Sequence, residues 1–282
     1  MEQNWIRQAD ISAYGEMLAR EERSESTIQK YLRDVRTFLA WLGGNAATKE
    51  SAIAWKKHLL STDYTPATIN SMLSAINGFF HFMGWDDCKV KFLRIQRRMF
   101  RDQSRDLTKM EYERLLETAK NQGKTRLALL METICATGIR VSEVKYITLE
   151  AAYRGRTDII LKGKIRTILL PKKLCRKLLK YARKQKIKSG EIFCTATGHS
   201  LSRRQIWREM KALCKAADVE KSKVFPHNLR HLFAVTFYKV CKDIVKLADV
   251  LGHSSIETTR IYLLSTGTEH IHILERLGLL SA

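Results

Sequence analysis

The stretch LGHSSIETTRIY, Leu251 to Tyr262, decides how the C-terminal half of this chain is read. Apolar residues at helical spacing precede it, so a helix should end at Gly252, a residue type that tolerates the left-handed conformation of a C-cap. Ser254 and Glu257 stand in the S-x-x-E spacing of a capping box, which predicts a new helix starting at once. His253 then occupies a tight corner, and Tyr262 falls two turns into the following helix. A buried tyrosine ordinarily fills space and bonds its hydroxyl. The sharper alternative is that both groups belong to an active site.

Composition sets the bounds. A chain of 282 residues makes one large or two ordinary domains, and 45 % hydrophobic residues supply a core. No apolar run approaches the roughly 18 residues of a membrane span. The opening MEQNWIRQAD lacks a basic start and an apolar stretch, so no secretory signal is expected. Six scattered cysteines with no C-x-x-C pair argue against a zinc site and against a disulfide framework, and suit a reduced cytoplasmic protein.

Charge is the strongest compositional signal, at a formal +21. It is unevenly placed: residues 1–104 hold 15 basic and 12 acidic side chains, and residues 105–282 hold 35 and 17. Between Arg154 and Lys188 there are 14 basic residues and one acid, Asp158. A solvated surface mixes signs, whereas blocks of one sign fit a polyanion, nucleic acid before an anionic membrane.

The first hundred residues read as a four-helix bundle. In SESTIQKYLRDVRTFLAWLGG, residues Ile28, Tyr31, Leu32, Val35, Phe38, Leu39 and Leu42 form one apolar stripe, with Gly43 as the stop. TPATINSMLSAINGFFHFMGW repeats the design, and shorter helices are expected over 8–20 and 49–60. We divide the chain into a helical domain (1–88), a basic linker (89–106) that is expected to follow a phosphate backbone, and a second domain (107–282) with a C-terminal tail (265–282). In the second domain, TDIILKG and IRTILLP predict a β-hairpin. EIFCT predicts a short strand, and SRRQIWREMKALCKAA and PHNLRHLFAVTFYKVC predict helices. The fold class is mainly α with a small antiparallel β-sheet.

Three stretches carry side chains that packing does not explain. ATGIRVSEV places Arg140 just past a glycine at the head of a helix. PHNLRH places His227 and Arg230 on one helical face. The opening stretch adds His253 and Tyr262. Two arginines can clamp a phosphodiester through bidentate bonds and stabilise a five-coordinate transition state without a metal. A tyrosine hydroxyl, ordinarily with a pKa near 10, is a competent nucleophile once a base such as His227 or nearby cations assist it. A lysine on the hairpin, Lys162 or Lys164, would protonate the departing oxygen.

On these residues the sequence resembles the tyrosine recombinases of the phage integrase and Xer-like family. The segments are Ala136–Glu143 (A-T-G-x-R-x-S-E), the 161–166 hairpin, His227–His231 (H-x-L-R-H), and L-G-H followed nine residues later by Tyr262. The resemblance covers nearly the whole chain and implies a SAM-like helical core-binding domain followed by an α/β catalytic domain. By it, Arg140, Arg230 and His253 would hold the scissile phosphate. Tyr262 would form a 3′-phosphotyrosyl link, His227 would move a proton, and Lys162 rather than Lys164 would be the general acid. Glu143 and His231 would support them, while Ser255, Thr258 and Thr259 read as cap and surface residues.

The resemblance further implies site-specific recombination through a Holliday junction, in integration, excision or resolution, without metal or cofactor. Expected partners are double-stranded DNA, three further copies of the chain in a tetramer on two duplexes, and an accessory directionality factor. The setting would be a prokaryotic cytoplasm at the nucleoid, with no membrane contact. The apolar 270–280 segment would dock into a neighbouring subunit. A type IB topoisomerase-like nicking-closing enzyme is the alternative.

Overall fold

The computed structural model describes residues 4–95, 104–161, 164–262 and 276. The chain divides into two compact units, residues 1–97 and 98–282.

The first unit is built from α1 (Gln8–Arg20), α2 (Glu25–Leu42), α3 (Lys49–Leu60) and α4 (Pro66–Phe82). Helix α2 buries Ile28, Leu32, Val35, Phe38 and Leu42 of the predicted stripe, leaves Tyr31 and Leu39 half-buried, and stops at Gly43 with φ 60°. Helix α4 starts where Thr65 Oγ1 accepts the Thr68 amide and Pro66 fills the first turn, where a missing N–H costs nothing. Aromatic rings knit the core: Phe38 meets Phe80 edge-on at 5.8 Å, and Tyr14 meets Phe79 at 5.4 Å. Beyond a 3-10 turn at Asp86–Cys88, residues 89–95 are held against α4. The Asn77 side-chain amide donates to the Val90 carbonyl and accepts the Val90 amide, and Asn70 does the same for Leu93. The first part of the basic segment is therefore bracketed to the bundle by two asparagines about two turns apart on one helical face.

The second unit runs α5 (Lys109–Asn121), α6 (Thr125–Thr137), a 3-10 turn (Val141–Tyr146), α7 (Leu149–Arg154), β1 (Arg156–Leu161), β2 (Lys164–Leu169), α8 (Lys172–Lys184), α9 (Arg203–Lys211), a 3-10 turn (Lys221–Lys223), α10 (Pro226–Cys241), α11 (Ile244–Leu251) and α12 (Ile256–Arg260). Helix α6 is its centre, burying Leu127, Leu130, Met131 and Ile134 against α5 and α10. Strands β1 and β2 pair antiparallel, with Ile159 opposite Arg166 and Ile160 opposite Ile165. Alternation turns Ile159, Arg166 and Ile168 inward and leaves Ile160 and Ile165 exposed.

Four local expectations are corrected. EIFCT makes only isolated bridges, Thr148 with Glu191 and Cys194 with Ser200, because no neighbouring strand offers a ladder among the described residues. The helix expected from Ser202 to Ala217 is regular only to Lys211 and continues as turns. The cap of α12 is Ser255, not Ser254: Ser255 is extended and its Oγ accepts the Glu257 amide. That helix ends at Arg260, so Tyr262 stands in the turn after it rather than within it. The predicted tail helix at 270–280 lies outside the described residues, apart from position 276.

Candidate active site

Helix α6 ends at Gly138, whose φ of +64° is left-handed and whose added Cβ would lie 2.4 Å from Phe233. No other residue type fits that turn without strain or displacement. The turn delivers Arg140 to the head of a 3-10 segment rather than an α-helix. The Arg140 amide and its Nη1 both donate to the Glu143 carboxylate, at 2.8 and 2.9 Å. Glu143 is fully buried. From the opposite side, Arg166 on β2 donates Nη1 to the same carboxylate and Nη2 to the Val250 carbonyl. Burial alone would raise the Glu143 pKa. The Arg140 amide and the Arg166 and Arg140 guanidiniums outweigh it and hold the carboxyl below its ordinary value.

Arg166 also explains Gly252. Besides its φ of +64°, a Cβ at this corner would lie 2.3 Å from Arg166 Cδ. The glycine in L-G-H therefore closes the helix and also makes room for the arginine that anchors Glu143.

Arg230, on the first turns of α10, is 1 % exposed. Its Nη1 donates to the Gly138 carbonyl, and its Nη2 donates to the Leu251 carbonyl and to His253 Nε2 at 2.9 Å. Burial, then the neighbouring Arg140, bring this guanidinium down to about 10, with contact to the Tyr262 hydroxyl opposing the fall. It remains a cation at neutral pH. Because a guanidinium only donates, His253 Nε2 must accept, which leaves the imidazole proton on Nδ1. Nδ1–H then donates to Thr259 Oγ1 at 2.8 Å. Burial, followed by Arg230, Arg140 and Arg166, pushes His253 down to about 4, consistent with a neutral ring. Thr259, expected to be a surface residue, is instead 0 % exposed and sets this tautomer.

Tyr262 is buried among three histidines. Its ring stacks on His253 at 5.9 Å and 8°, and lies 5.3 Å from His231 and 6.0 Å from His227. An open cavity of about 190 Å³ lies beside this cluster, with Arg140, Ser142, Arg203, His227 and Arg230 in its wall. Three arginines around one small cavity make a receptor for an anion.

Arg140, Glu143, His227, Arg230, His231, His253 and Tyr262 are thus gathered from segments far apart in sequence. Lys162 lies outside the described residues, and Lys164 opens β2. Sequence reasoning missed Arg166, Thr259 and Arg203. Arg166 had a readable signal, since strand alternation puts it on the same face as the apolar Ile168. The other two had none.

Comparison with known proteins places the chain in a family. Residues 105–268 match the phage integrase family, and residues 11–86 match the phage integrase N-terminal SAM-like domain. Tyrosine recombinase XerA of Pyrococcus furiosus is 28 % identical over 99 % of this chain and 98 % of its own length. XerA of Thermococcus kodakarensis is 30 % identical over 93 % and 92 %. A lambda integrase tetramer bound to a Holliday junction shares the fold, with a TM-score of 0.72 and 17 % identity over 93 % of this chain and 78 % of that one. The chain belongs to the phage integrase family and is a tyrosine site-specific recombinase. The nicking-closing alternative finds no support in these relatives. Among the described residues no helix is long and apolar enough to cross a membrane.

Proposed function

We propose that this chain cuts and rejoins double-stranded DNA with Tyr262 as nucleophile, and that Arg140, Arg230 and His253 hold the scissile phosphate. The observation that carries the reading is the burial of Tyr262 in a ring of three histidines, of which His253 stacks on it and is hydrogen-bonded to Arg230. The tyrosine oxygen attacks phosphorus, the bond to the 5′-oxygen breaks, and a 3′-phosphotyrosyl link and a 5′-hydroxyl result. His227 takes the tyrosine proton, and Lys162 gives one to the leaving oxygen. The 5′-hydroxyl of a second duplex then attacks the link and frees Tyr262, which makes a Holliday junction after one exchange.

The arginines divide the work. Arg230 is fixed by two carbonyls and His253 before any ligand arrives, so little reorganisation is needed when charge develops. Arg140 keeps 41 % of its side chain exposed and is the member open to a ligand. Tyr262 is 5 % exposed and sits behind the cavity wall that His227 and Arg230 form. His231 supports the tyrosine ring, and Glu143 positions Arg140.

We further read the working assembly as a tetramer on two duplexes at the nucleoid of a prokaryotic cytoplasm, with an accessory directionality factor as a further partner. A lambda integrase that shares this fold is seen as a tetramer bound to a Holliday junction. The test is a nicked duplex from the ends of the genetic element that encodes the chain. The nick releases the 5′ fragment and traps the covalent complex. An SDS-resistant protein–DNA band with wild type and none with Tyr262→Phe, while both bind in a native gel, supports the reading. A band that survives Tyr262→Phe overturns it.

A further inference from the structure

The catalytic machinery leaves the most basic element of the molecule unused. Helix α8 turns Leu174, Cys175, Leu178 and Ala182 into the core. Its other face carries Lys172, Lys173, Arg176, Lys180, Arg183 and Lys184, all exposed. At 100° per residue these six fall within an arc of about 120°, along a rod about 20 Å long. None has an ion-pair or hydrogen-bond partner among the described residues; only Lys177, at the edge of the arc, pairs with Glu132 of α6. No acid occurs anywhere from Ile159 to Gly190. Helix α5 of the same unit is the internal control, since its exposed face alternates Lys109, Glu113, Arg114 and Glu117.

Such a face is unfavourable for an isolated helix. Lys172 repels Arg176, Arg176 repels Lys180 and Lys180 repels Lys184 at i,i+4 spacing, where like charges destabilise. Lys172 and Lys173 sit in the first turn, where the helix dipole disfavours cations and no acid offsets them. A polyanion laid along the stripe relieves both. A bilayer surface fits poorly, because the apolar face that would insert is already in the protein core. No α8 residue lines the arginine cavity.

We propose that the solvent face of α8 is a second DNA-binding surface, separate from the catalytic cavity, that grips the phosphate backbone of duplex DNA without regard to sequence. It rests on the reading of the chain as a DNA enzyme and adds a surface that the chemistry does not require. One duplex charge falls every 1.7 Å or so of helix axis, so a stripe of this length meets several phosphates whatever the bases are.

The test compares the full chain with K172Q/K173Q/R176Q/K180Q on random-sequence duplex DNA over a series of salt concentrations. The expected result is a log–log salt slope smaller by about 3 to 4, since each lost phosphate contact removes about 0.9. Trapping of the covalent complex on the nicked core duplex, at saturating DNA and low salt, stays at the wild-type level. A K172R/K173R/K180R variant keeps the wild-type slope, and thermal melting of both variants shows that the fold is intact. An unchanged slope in the glutamine variant, with wild type binding normally, overturns this proposal alone and leaves α8 as the seat of some other acidic partner. Absence of salt-dependent duplex binding by wild type overturns the DNA reading and this proposal together.

Discussion

Tyr262 is enclosed by three imidazole rings, those of His227, His231 and His253, with centroids 5.3 to 6.0 Å from its own. Loss of the hydroxyl in Tyr262→Phe should abolish the covalent complex and leave duplex affinity within about twofold, because the ring packing survives and binding is spread over many phosphates. His253 gives a pH signature with a definite sign. Its folded pKa of about 4 lies below the ordinary 6.5, so the unfolded chain binds the extra proton between those values. Stability from this group is full above about pH 6.5 and lost as pH falls toward 4. Glu143, also depressed, adds to the loss at the acid end. The melting temperature should therefore drop between pH 7 and 4.5, and drop less in His253→Gln, as calorimetry would show. A flat profile would contradict the neutral-ring assignment. Arg140, His227, Arg230, His253 and Tyr262 were legible in sequence because their motifs are short and their chemistry specific. Thr259 was not, since a threonine on a five-residue helix reads as surface until the L-G-H corner folds over α10.

At the level of elements, the site is a junction of ends: the last turn of α6, the head of α10, the corner between α11 and α12, and one strand of the hairpin. Arg166 ties three of these, through Glu143, the Val250 carbonyl and contact with Gly252. Removing it leaves a buried carboxylate with one partner fewer, a change worth about 3 to 5 kcal/mol in comparable buried pairs. Arg166→Gln should lower the melting temperature and cut covalent-complex formation at saturating DNA, with Arg166→Lys restoring part of the second. Gly252→Ala should reproduce both defects, from left-handed strain of about 1 to 2 kcal/mol and from the clash with Arg166 Cδ. Equal trapping rates for Gly252→Ala and wild type would show that this corner does not position the clamp. The helices over 8–20 and 49–60 and the hairpin were readable, because stripe, cap and alternation are local signals. The bracket formed by Asn70 and Asn77 was not, because an asparagine's partner lies 13 to 23 residues away.

For the whole molecule, the charge division decides behaviour on DNA. Residues 105–282 hold 35 basic against 17 acidic side chains, so affinity should fall by roughly 10³ to 10⁵ between 50 and 200 mM salt if six to ten phosphates are contacted. Filter binding across that range checks it, and a flat response would contradict a phosphate-led interface. Trapping should be unaffected by EDTA, since guanidiniums supply the positive charge at the proposed phosphate site. Sequence alone determined the two long helices of the first unit, the hairpin, the excess of positive charge and most of the candidate site residues, because each is written in local spacing or residue type. Only the tertiary structure decided that Glu143 is a buried anion between two arginines, that Arg166 underlies Gly252, that Thr259 sets the tautomer of His253, and that Tyr262 lies closed against three histidines. Those outcomes depend on which segments meet, and burial and pKa are properties of the meeting rather than of the residues.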